Sequence, residues 1–449
     1  MAAGVRSGCG QCWWGKAMGT PDGRYWQRDT EILPREQQRE HQWRLLLQQL
    51  RYAYDRSPYY RRRFDDAGVN PHQFRSPTDY FEHIPFLKKE DIIEEQAKHP
   101  PHGRFLAVHP DEIVRLYVSP GPIVWSFTAE GYRRYCEAFA KGVYLCGVRA
   151  SDVVDVTPNY AWVPAGTFMD EGYRMVGAAV LPGSVGLSDF HVEVMKLAKV
   201  TVIHAFTTFL AQLGEVVKQK GYDPQRDLAV RLGIIGGEIR SEAARQALGE
   251  PFGGIAIREQ YGTAEIGVIA NECEYGGGMH LSDDHLVEII DPHTAQHVAE
   301  GASGELVVSD VWRQAMPIIR YRTGDLTEGL NLEPCPCGRT APRLKRIVGR
   351  VSDIPRIKGM FVIPRNIQNV LDRYPELGRF QIVVDRPGRQ DELTIRVALR
   401  QPADDPGALS RRLTAEIREA IRLTATIQLV EATALPDSAP LVEDRRSVG

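Results

Sequence analysis

The stretch REQYGTAEIG, residues 258–267, runs from a strand-like segment into a Gly-Thr-Ala-Glu turn and then into further apolar sequence. The turn brings a hydroxyl, from Thr263, and a carboxylate, from Glu265, to the end of the predicted strand. Ligands bind at the carboxyl ends of strands in open α/β sheets, and such a pair can hold phosphate oxygens and Mg²⁺. The same residues also suit a helix N-terminus with an acidic first turn. The stretch alone leaves both alternatives open.

Strand-like and helix-like segments alternate on both sides of this stretch. The strand-like runs are VVDVTP (153–158), VTVIHAF (200–206), LGIIGG (232–237) and IAIREQYG (255–262). Helical patterning lies between such runs, which favours βαβ units and a largely parallel sheet. After about residue 281 the pattern becomes β-rich, in HLVEIID, GELVVSD and MPIIRYRTGDL.

A smaller unit is predicted at the C-terminal end. There FQIVVD and ELTIRVAL flank a PGRQDE turn, which predicts a hairpin. The helical segment that follows has one apolar stripe, at Leu409, Leu413, Ile417 and Ile421. We therefore predict an α/β fold with a large N-terminal domain over residues 25–350, built of mixed and parallel sheets with helices and a β-rich subdomain. A small α+β domain over residues 351–449 follows it, and residues 1–24 are predicted to be a disordered leader.

The composition excludes several classes of protein. The chain has 449 residues, a formal net charge of -3 and a pI near 6.5, which gives no electrostatic footprint for nucleic acid or an anionic membrane. No apolar run is long enough to span a bilayer, and no signal-peptide core is present. Seven cysteines in a chain of this size favour a reducing cytoplasm with free or metal-bound thiols. The CGQC motif at residues 9–12 has glycine-rich flanks, which favours an unstructured segment over a redox site.

Two further segments carry chemistry. In IIRYRTGDL, residues 318–326, the Asp325 carboxylate follows a tight glycine turn and can accept two hydroxyls, as from a ribose. The segment IVGRVSDIPRIKGMFVIPRNIQNVL, residues 347–371, joins the β-rich part to the C-terminal unit. Each is a weak signal by itself, because TGD is a common turn.

In this order and spacing, the three segments together resemble the adenylate-forming superfamily, and most closely its phenylacetate–CoA ligase branch. The likeness extends over residues 25–449, because five more segments are similar to that branch. These are RYWQRDTEILPREQQ, LRYAYDRSPYYRRRFDDAGVNP, GIIGGEIRSEAARQAL, ECEYGGGMHLSDDHLVEIIDPHT and PCPCGRTAPRLKRIVGR. The resemblance implies a C-terminal domain that rotates between two half-reactions about a hinge at Ser352 and Asp353. The family has an acidic residue at the first hinge position, so Ser352 departs from the pattern and Asp353 can serve instead.

The resemblance also implies a nucleotide site. Tyr261 would stack on the adenine, and Thr263 and Glu265 would face phosphate and Mg²⁺. Asp325 would bind the ribose hydroxyls with help from Arg350. The residues that would line the adenine are Gly236, Gly237 and Glu238.

A cysteine and histidine cluster has a physical interpretation of its own. Cys273 and His280 lie in one predicted loop, and Cys335 and Cys337 lie in another, within CPCG. Three thiolates and one imidazole can make a closed tetrahedral site for structural zinc. We expect such a site to tie the parallel-sheet part to the β-rich part, with metal binding contributing to folding. The alternative is two loops of unligated thiols.

The stretch LYVSPGPIVWSFT, residues 116–128, departs from the branch that the chain resembles. That branch has a Ser/Thr/Gly-rich loop here, which holds the β- and γ-phosphates with backbone N–H groups, hydroxyls and a lysine. This chain has the shorter frame Ser119-Pro120-Gly121-Pro122, without threonine or lysine. Since proline has no N–H, two donors are also removed. The local alternative is a plain turn between two strands.

The C-terminal end departs from the family in a second way. The family has a lysine near its end that stabilises the charge developing during adenylate formation. The matching text here is LPDSAPLVEDRRSVG, which contains no lysine. Arg445 and Arg446 are cationic, but a guanidinium does not simply replace an ammonium. Both departures predict weak ATP-driven adenylation.

The resemblance places an acid-binding pocket on the segments VTPNYAWVPAG, LPGSVG and HAFTTF. The side chains that would line an aromatic or amphipathic pocket are Asn159, Tyr160, Trp162, His204 and Phe206. Each aromatic side chain fits ordinary core equally well. His204 fits a satisfied core histidine or a general base.

The sequence therefore predicts a phenylacetate–CoA ligase-like enzyme acting on a small, aromatic carboxylic acid or its activated acyl form. The ligands implied are ATP, AMP or an acyl-adenylate with Mg²⁺, CoA or another acceptor, and structural zinc. Two alternatives stay open: a divergent acyl-transfer or condensation enzyme that does not use ATP, and a non-catalytic scaffold. A homodimer is expected from the resemblance only.

Overall fold

The computed structural model describes residues 23–236, 242–357, 360–387, 391–401, 405–436 and 438–446. Most of the predicted leader, including CGQC, lies outside these residues. Gly23, assigned to that leader, is held by a 2.6 Å hydrogen bond from the Tyr144 hydroxyl to its carbonyl oxygen. Across the described ranges no helix is long and apolar enough to cross a membrane.

The described helices lie mostly in the first half of the chain. They are α1 (Arg28–Glu31), α2 (Arg35–Arg56), α3 (Pro58–Asp66), α4 (Pro77–His83), α5 (Lys89–Lys98), α6 (Ala129–Leu145), α7 (Ala165–Val176), α8 (Ser188–Ala198), α9 (Thr207–Gln219), α10 (Pro224–Asp227), α11 (Glu242–Gly249), α12 (Pro364–Leu371) and α13 (Pro406–Ile421). The Ser57-Pro58 pair separates α2 from α3, with the Ser57 side chain accepting a hydrogen bond from Tyr60 N.

The described strands form five sheets. The strands are β1 (Ile113–Ser119), β2 (Ile123–Thr128), β3 (Val153–Val156), β4 (Ala179–Leu181), β5 (Val202–Phe206), β6 (Leu232–Gly236), β7 (Ala256–Thr263), β8 (Gly267–Glu272), β9 (Met279–Leu281), β10 (His285–Ile290), β11 (Gly304–Asp310), β12 (Tyr321–Thr327), β13 (Leu330–Asn331), β14 (Arg343–Leu344), β15 (Ile347–Arg350), β16 (Arg356–Ile357), β17 (Met360–Phe361), β18 (Leu377–Asp385), β19 (Glu392–Leu399), β20 (Thr426–Glu431) and β21 (Val442–Asp444). The sheet orders are β1-β2, β10-β11-β12-β15, β13-β14-β9-β8-β7-β6-β5-β3-β4, β16-β17 and β20-β19-β18-β21.

The nine-stranded sheet confirms the predicted βαβ pattern. Strands β4, β3, β5, β6 and β7 are parallel, whereas β8, β9, β14 and β13 continue the sheet in antiparallel fashion. Val154, Ile203 and Ile234 are fully buried, as expected where helices cover both faces of parallel strands. The mixed α/β class predicted from the sequence is therefore confirmed.

The chain divides into two compact units. The first comprises Met1–Glu288, Val307–Arg322 and Leu330–Lys345, and the second comprises Ile289–Leu306, Thr323–Gly329 and Arg346–Gly449. The predicted boundary at residue 350 lies close to the start of the last segment. The two shorter segments, which the sequence assigns to the large domain, group with the C-terminal residues.

The C-terminal part of the second unit has the predicted α+β order. Strands β18 and β19 form the expected hairpin, and β20 and β21 add to it in parallel. Helix α13 covers this sheet with the predicted apolar stripe, because Leu409, Leu413, Ile417 and Ile421 are all buried in one core cluster. The second unit thus has a hydrophobic core of its own.

Candidate functional site

The carboxyl ends of the central parallel strands meet at one edge of the nine-stranded sheet. Phe206 at the end of β5 is in register with Gly236 at the end of β6, and Gly236 is in register with Gln260 on β7. Tyr261 and Thr263 continue β7 beyond that line. This edge is where open α/β sheets bind ligands. Gly237 and Glu238 lie outside the described residues.

The Gly-Thr-Ala-Glu turn is a hairpin between β7 and β8, not a helix N-terminus. Thr263 pairs with Gly267 across the turn, and the Thr263 hydroxyl accepts a 3.2 Å hydrogen bond from Ile266 N. Glu265 lies within the turn, where it is buried and where its carboxylate is 3.2 Å from Lys89 Nζ. The turn therefore holds a hydroxyl and a carboxylate at the strand end, as a site for phosphate oxygens and Mg²⁺ requires.

A buried charged network supports this turn. Both terminal nitrogens of Arg313 donate to the turn, at 2.8 Å to the Glu265 carbonyl oxygen and 3.0 Å to that of Ile266. Arg313 Nε lies 2.8 Å from the Asp310 carboxylate, and His285 Nδ1 lies 2.6 Å from the same carboxylate. Burial alone would lower the pKa of His285, but the Asp310 carboxylate, together with Asp284 and the Val268 carbonyl oxygen, outweighs burial and raises that pKa. The network fixes the backbone that presents Glu265.

Sequence reasoning missed these three supporting residues. The one available signal is the spacing of Asp310 and Arg313, which are three residues apart in DVWRQ. His285, Asp310 and Arg313 are almost fully buried together. Residue spacing does not predict burial of that kind.

The predicted ribose residues lie in the second unit. Asp325 on β12 is opposite Arg350 on β15, and Arg350 Nε is 3.0 Å from Asp325 Oδ1. Thr323 positions both residues, since its hydroxyl accepts from Asp325 N and its carbonyl oxygen accepts from Arg350 at 2.8 Å. A buried carboxylate beside an exposed guanidinium can accept hydrogen bonds from hydroxyl groups. Ser352 and Asp353 follow in a short 3-10 turn, Val351–Asp353.

The predicted pocket residues differ in exposure. Trp162 is 81% exposed and has a left-handed backbone, and Phe206 is 51% exposed. Tyr160 is half-buried, with its hydroxyl 3.3 Å from the Asp170 carboxylate. Asn159 accepts a 2.9 Å hydrogen bond from Ala161 N and so shapes the turn that presents Trp162. Trp162 and Phe206 thus have the exposure that a ligand-facing aromatic needs.

His204 lies within the core. It is 1% exposed, its Nδ1 is 2.8 Å from the Tyr173 hydroxyl, and its ring stacks on Phe139. Burial lowers the pKa of His204 to about 3, so the imidazole is neutral at physiological pH. These features favour the satisfied core histidine over the general base.

The LYVSPGPIVWSFT stretch forms the β1–β2 hairpin, with Ser119 paired to Ile123. Ser119 is buried, and its hydroxyl accepts a 3.0 Å hydrogen bond from Trp125 Nε1. Gly121 has φ of 151°, a backbone conformation that favours glycine. The turn therefore presents neither a threonine nor a lysine of its own, and its one serine is engaged by a tryptophan.

The two arginines of the C-terminal tail are paired with acidic neighbours. Arg445 Nε lies 2.9 Å from Glu443. Arg446 forms ion pairs with Asp444 and with Asp391, the latter at 3.0 Å. Each guanidinium is therefore part of a local ion pair within the C-terminal sheet.

The four predicted metal ligands converge at the antiparallel end of the nine-stranded sheet. The ligand atoms of Cys273, His280, Cys335 and Cys337 all lie within 4.8 Å of one another, and all four residues are buried. Cys273 follows β8, His280 is on β9, and Cys335 and Cys337 lie between β13 and β14. Because these strands are neighbours in one sheet, the cluster joins parts of that sheet. The sequence predicted that the cluster ties the parallel-sheet part to the β-rich part after residue 281. The structure instead places the cluster within the nine-stranded sheet, and not at the β10-β11-β12-β15 sheet.

Comparison with known proteins supports the architecture. Residues 359–445 match the family described as AMP-binding enzyme C-terminal domain. The chain is 34% identical over 386 residues to phenylacetate-coenzyme A ligase of Thermus thermophilus, covering 84% of this chain and 85% of the relative. It is 30% identical over 416 residues to the enzyme of the same name from Aromatoleum evansii, covering 88% and 92%.

A solved structure has the same fold over nearly the whole chain. It is an open conformation of 2-hydroxyisobutyryl-CoA ligase in complex with 2-HIB-AMP and CoA. The TM-score is 0.85 and the identity 25%, and the match covers 95% of this chain and 96% of that one. The carboxyl-edge site, the C-terminal match and these relatives agree, and the chain belongs to the phenylacetate–CoA ligase family of adenylate-forming enzymes, with ligase-type activity of the acid–thiol class.

Proposed function

We propose that this enzyme forms an acyl-adenylate from a small aromatic carboxylic acid and transfers the acyl group to the thiol of CoA. The observation that carries the proposal is the carboxyl edge of β5–β7, where Phe206 and Gly236 adjoin the hairpin that presents Glu265. The relatives named phenylacetate–CoA ligase support the aromatic acid. The solved ligase with bound 2-HIB-AMP and CoA supports the two-step route.

Each predicted site residue has a role under this proposal. The exposed rings of Trp162 and Phe206 contact the aromatic part of the acid, and Tyr261 stacks on the adenine. Glu265 would hold Mg²⁺, for which a carboxylate oxygen is a suitable ligand, and the ion would supply positive charge to the phosphates. Asp325, oriented by Arg350, accepts the ribose hydroxyls.

The first half-reaction should be slow. Ser119 is engaged by Trp125, and Pro120 and Pro122 offer no N–H to a phosphate. The tail has no lysine, and its arginines are paired with acidic residues. Loss of one preorganised electrostatic group lowers a rate by about 10²–10³.

A second candidate function follows from the same two departures. The protein would then take a preformed acyl-adenylate and transfer its acyl group without using ATP itself. The engaged Ser119 and the lysine-free tail favour it, whereas Glu265 at the strand end favours the ATP-dependent route.

Comparing the two half-reactions separates these candidates. We expect phenylacetate-dependent pyrophosphate exchange to be measurable but at least about 10²–10³ slower than in the Thermus relative, because loss of even one stabilising group lowers the rate that much. We expect thioester formation from synthetic phenylacetyl-adenylate and CoA to proceed at a rate similar to that of the relative. Absence of exchange with normal thioester formation would favour the second candidate, and absence of both reactions would support a non-catalytic scaffold.

We also propose that Cys273, His280, Cys335 and Cys337 hold a structural zinc ion. The Cys273 and Cys335 sulfurs are 3.6 Å apart, and Cys337 Sγ is 3.4 Å from His280 Nε2. A tetrahedral site with Zn–S of about 2.3 Å separates two sulfurs by about 3.8 Å, so the donors fit. The other ring nitrogen of His280 lies 3.1 Å from the Ala341 carbonyl oxygen, which orients the imidazole.

Removal of one thiolate tests the metal site. We expect Cys335→Ser to reduce zinc from one equivalent per chain to a small fraction and to lower Tm by several degrees, because metal binding stabilises the folded state. Zinc is measured by elemental analysis and Tm by calorimetry. Cys136→Ser, which changes a buried cysteine outside the cluster, should keep the zinc. Wild-type protein with no bound zinc would contradict the proposal.

A further inference from the structure

The loop between β4 and α8, residues 182–187, lies at the carboxyl edge of the nine-stranded sheet. Ser184 N donates a 3.1 Å hydrogen bond to the carbonyl oxygen of Val156, the last residue of β3. Strand β3 pairs in register with β5, the strand that ends at the exposed Phe206. The 182–187 loop therefore adjoins the edge at which open α/β sheets bind ligands.

The backbone of this loop has an unusual conformation. Ser184, Gly186 and Leu187 have φ of 62°, 91° and 50°, which lie in the left-handed region that residues other than glycine rarely adopt. Val185 and Leu187 are exposed, so burial of their side chains contributes little to holding the loop. A backbone of this kind persists only where neighbouring groups hold it in place.

His191 on α8 supplies one of the hydrogen bonds that hold the loop. Its Nε2 lies 2.9 Å from the Ser184 carbonyl oxygen, and its Nδ1 lies 2.7 Å from Oδ2 of Asp155 on β3. Both side chains of this pair are buried. A carbonyl and an ionised carboxylate only accept hydrogen bonds, so both ring nitrogens have to donate, which requires the imidazolium form. Loss of one proton from the ring would break one of the two bonds.

The groups around the ring favour this arrangement. The Phe209 ring on α9 meets the imidazole edge to face, with centroids 5.4 Å apart. A Cβ placed on Gly183 would collide with the imidazole and with the Asp155 carboxylate, so the loop backbone passes directly over the pair. The charged side chains on the exposed side of α8 form ion pairs of their own, with partners outside this helix; they are Asp189, Glu193 and Lys196.

We propose that the His191 imidazolium, held by Asp155, positions the 182–187 loop and thereby sets the affinity of the site for the acyl part of its ligand. This inference rests on the proposed function, because it requires an acyl group bound at the sheet edge. His191 is a positioning residue, since it contacts the loop backbone and not the ligand. The loop adjoins β3 and β5, whereas Tyr261, assigned to the adenine, lies on β7, so the adenosine part should depend on it less.

The protonated ring makes the positioning depend on pH. Burial lowers the pKa of His191, but the hydrogen bond and charge of Asp155, together with the Ser184 carbonyl oxygen, outweigh burial and raise that pKa. The positioning should therefore be complete below about pH 6.5, the ordinary pKa of histidine, and should be lost as the pH rises through the raised pKa.

The test compares two ligands by calorimetry on the full chain. One is AMP, and the other is a mimic of phenylacetyl-adenylate with an acyl sulfamate in place of the acyl phosphate. We expect His191→Gln to weaken binding of the mimic by roughly 10-fold, in line with loss of a hydrogen bond to a charged group, and to leave AMP binding unchanged. Between about pH 6 and pH 9 the wild-type affinity for the mimic should fall towards that of His191→Gln, which should not change. Gly183→Ala, which displaces the loop from the pair, should weaken the mimic similarly.

His72→Gln is the matched control, because it makes the same change in an exposed pair of histidine and aspartate, with Asp55. It should leave both affinities and their pH dependence unchanged. Nitrogen NMR of protein carrying isotope-labelled histidine, assigned with His191→Gln, should show both ring nitrogens of His191 protonated at the acid end of the pH range. A singly protonated ring there would overturn the proposal.

The affinities separate the remaining outcomes. Equal weakening of AMP and the mimic in His191→Gln would overturn the proposal, because it indicates a general structural role. Unchanged affinity for the mimic in that variant would overturn it while the proposed function stands. Wild-type protein that binds neither ligand would overturn both.

Discussion

Arg313→Met is expected to lower the free energy of unfolding by about 3–5 kcal/mol, the range for breaking a buried ion pair on one side. Arg313 is 1% exposed, and its removal leaves the buried Asp310 carboxylate without the guanidinium that pairs with it, although His285 still lies beside it. Two carbonyl oxygens in the Glu265 turn also lose their donors. Urea denaturation of the wild type and the variant measures the difference.

A surface pair provides the control for this prediction. Arg134→Met removes an exposed guanidinium that pairs with Glu130 at 3.1 Å, and such pairs contribute about 0–1 kcal/mol. Equal destabilisation by the two variants would contradict the supporting role of Arg313. Arg313→Lys separates charge from geometry, because an ammonium cannot donate to two carbonyl oxygens and pair with Asp310 in the fork arrangement.

The same network shows why the fold was easier to predict from the sequence than the candidate site. The runs VVDVTP and LGIIGG predicted buried parallel strands, and β3 and β6 occupy them. That prediction needs only local composition and alternation. Arg313 reaches Glu265 across 48 residues of sequence, and no local pattern encodes a contact of that separation. The supporting residues were therefore missed while the turn itself was identified.

Lys89 illustrates the same point at the functional site. The sequence correctly indicates that the Ser119–Pro122 turn has no lysine, and a lysine-poor turn predicts a poor phosphate site. The structure places the Lys89 ammonium beside that turn from a helix that begins before it in the chain. A basic side chain can lie beside a loop to which it does not belong, and only the folded chain reveals that contact. In the C-terminal tail, by contrast, Arg445 and Arg446 form ion pairs with neighbouring carboxylates.

The cluster of Cys273, His280, Cys335 and Cys337 was predicted correctly as a set of converging donors, because residue type and spacing indicate the chemistry. The position of the cluster in the fold was predicted wrongly. The sequence separated the loops by their distance along the chain, whereas β9 pairs with both β8 and β14. Strand order at the antiparallel end of the sheet depends on long-range pairing, which sequence spacing does not determine.

Leu441→Lys is expected to accelerate the adenylation half-reaction by about 10²-fold, the effect of one preorganised electrostatic group. The family resemblance implies a lysine near the C-terminal end, and this chain has none after Lys358. Leu441 is an exposed position in the tail where a lysine can be introduced without changing the backbone pairing. Its side chain is 43% exposed, and its carbonyl oxygen accepts a 2.8 Å hydrogen bond from Ile382 N that a lysine would preserve.

Acid-dependent pyrophosphate exchange measures this gain, and thioester formation from preformed adenylate should not change, because the added ammonium acts only while charge develops on the phosphates. Leu441→Gln is the matched control, a polar side chain without charge at the same backbone position, and it should leave the exchange rate at the wild-type level. An exchange rate for Leu441→Lys no higher than that of Leu441→Gln would show that the missing tail cation does not limit adenylation. Adenylation would then be limited by the phosphate-binding groups that the Pro120–Pro122 turn lacks.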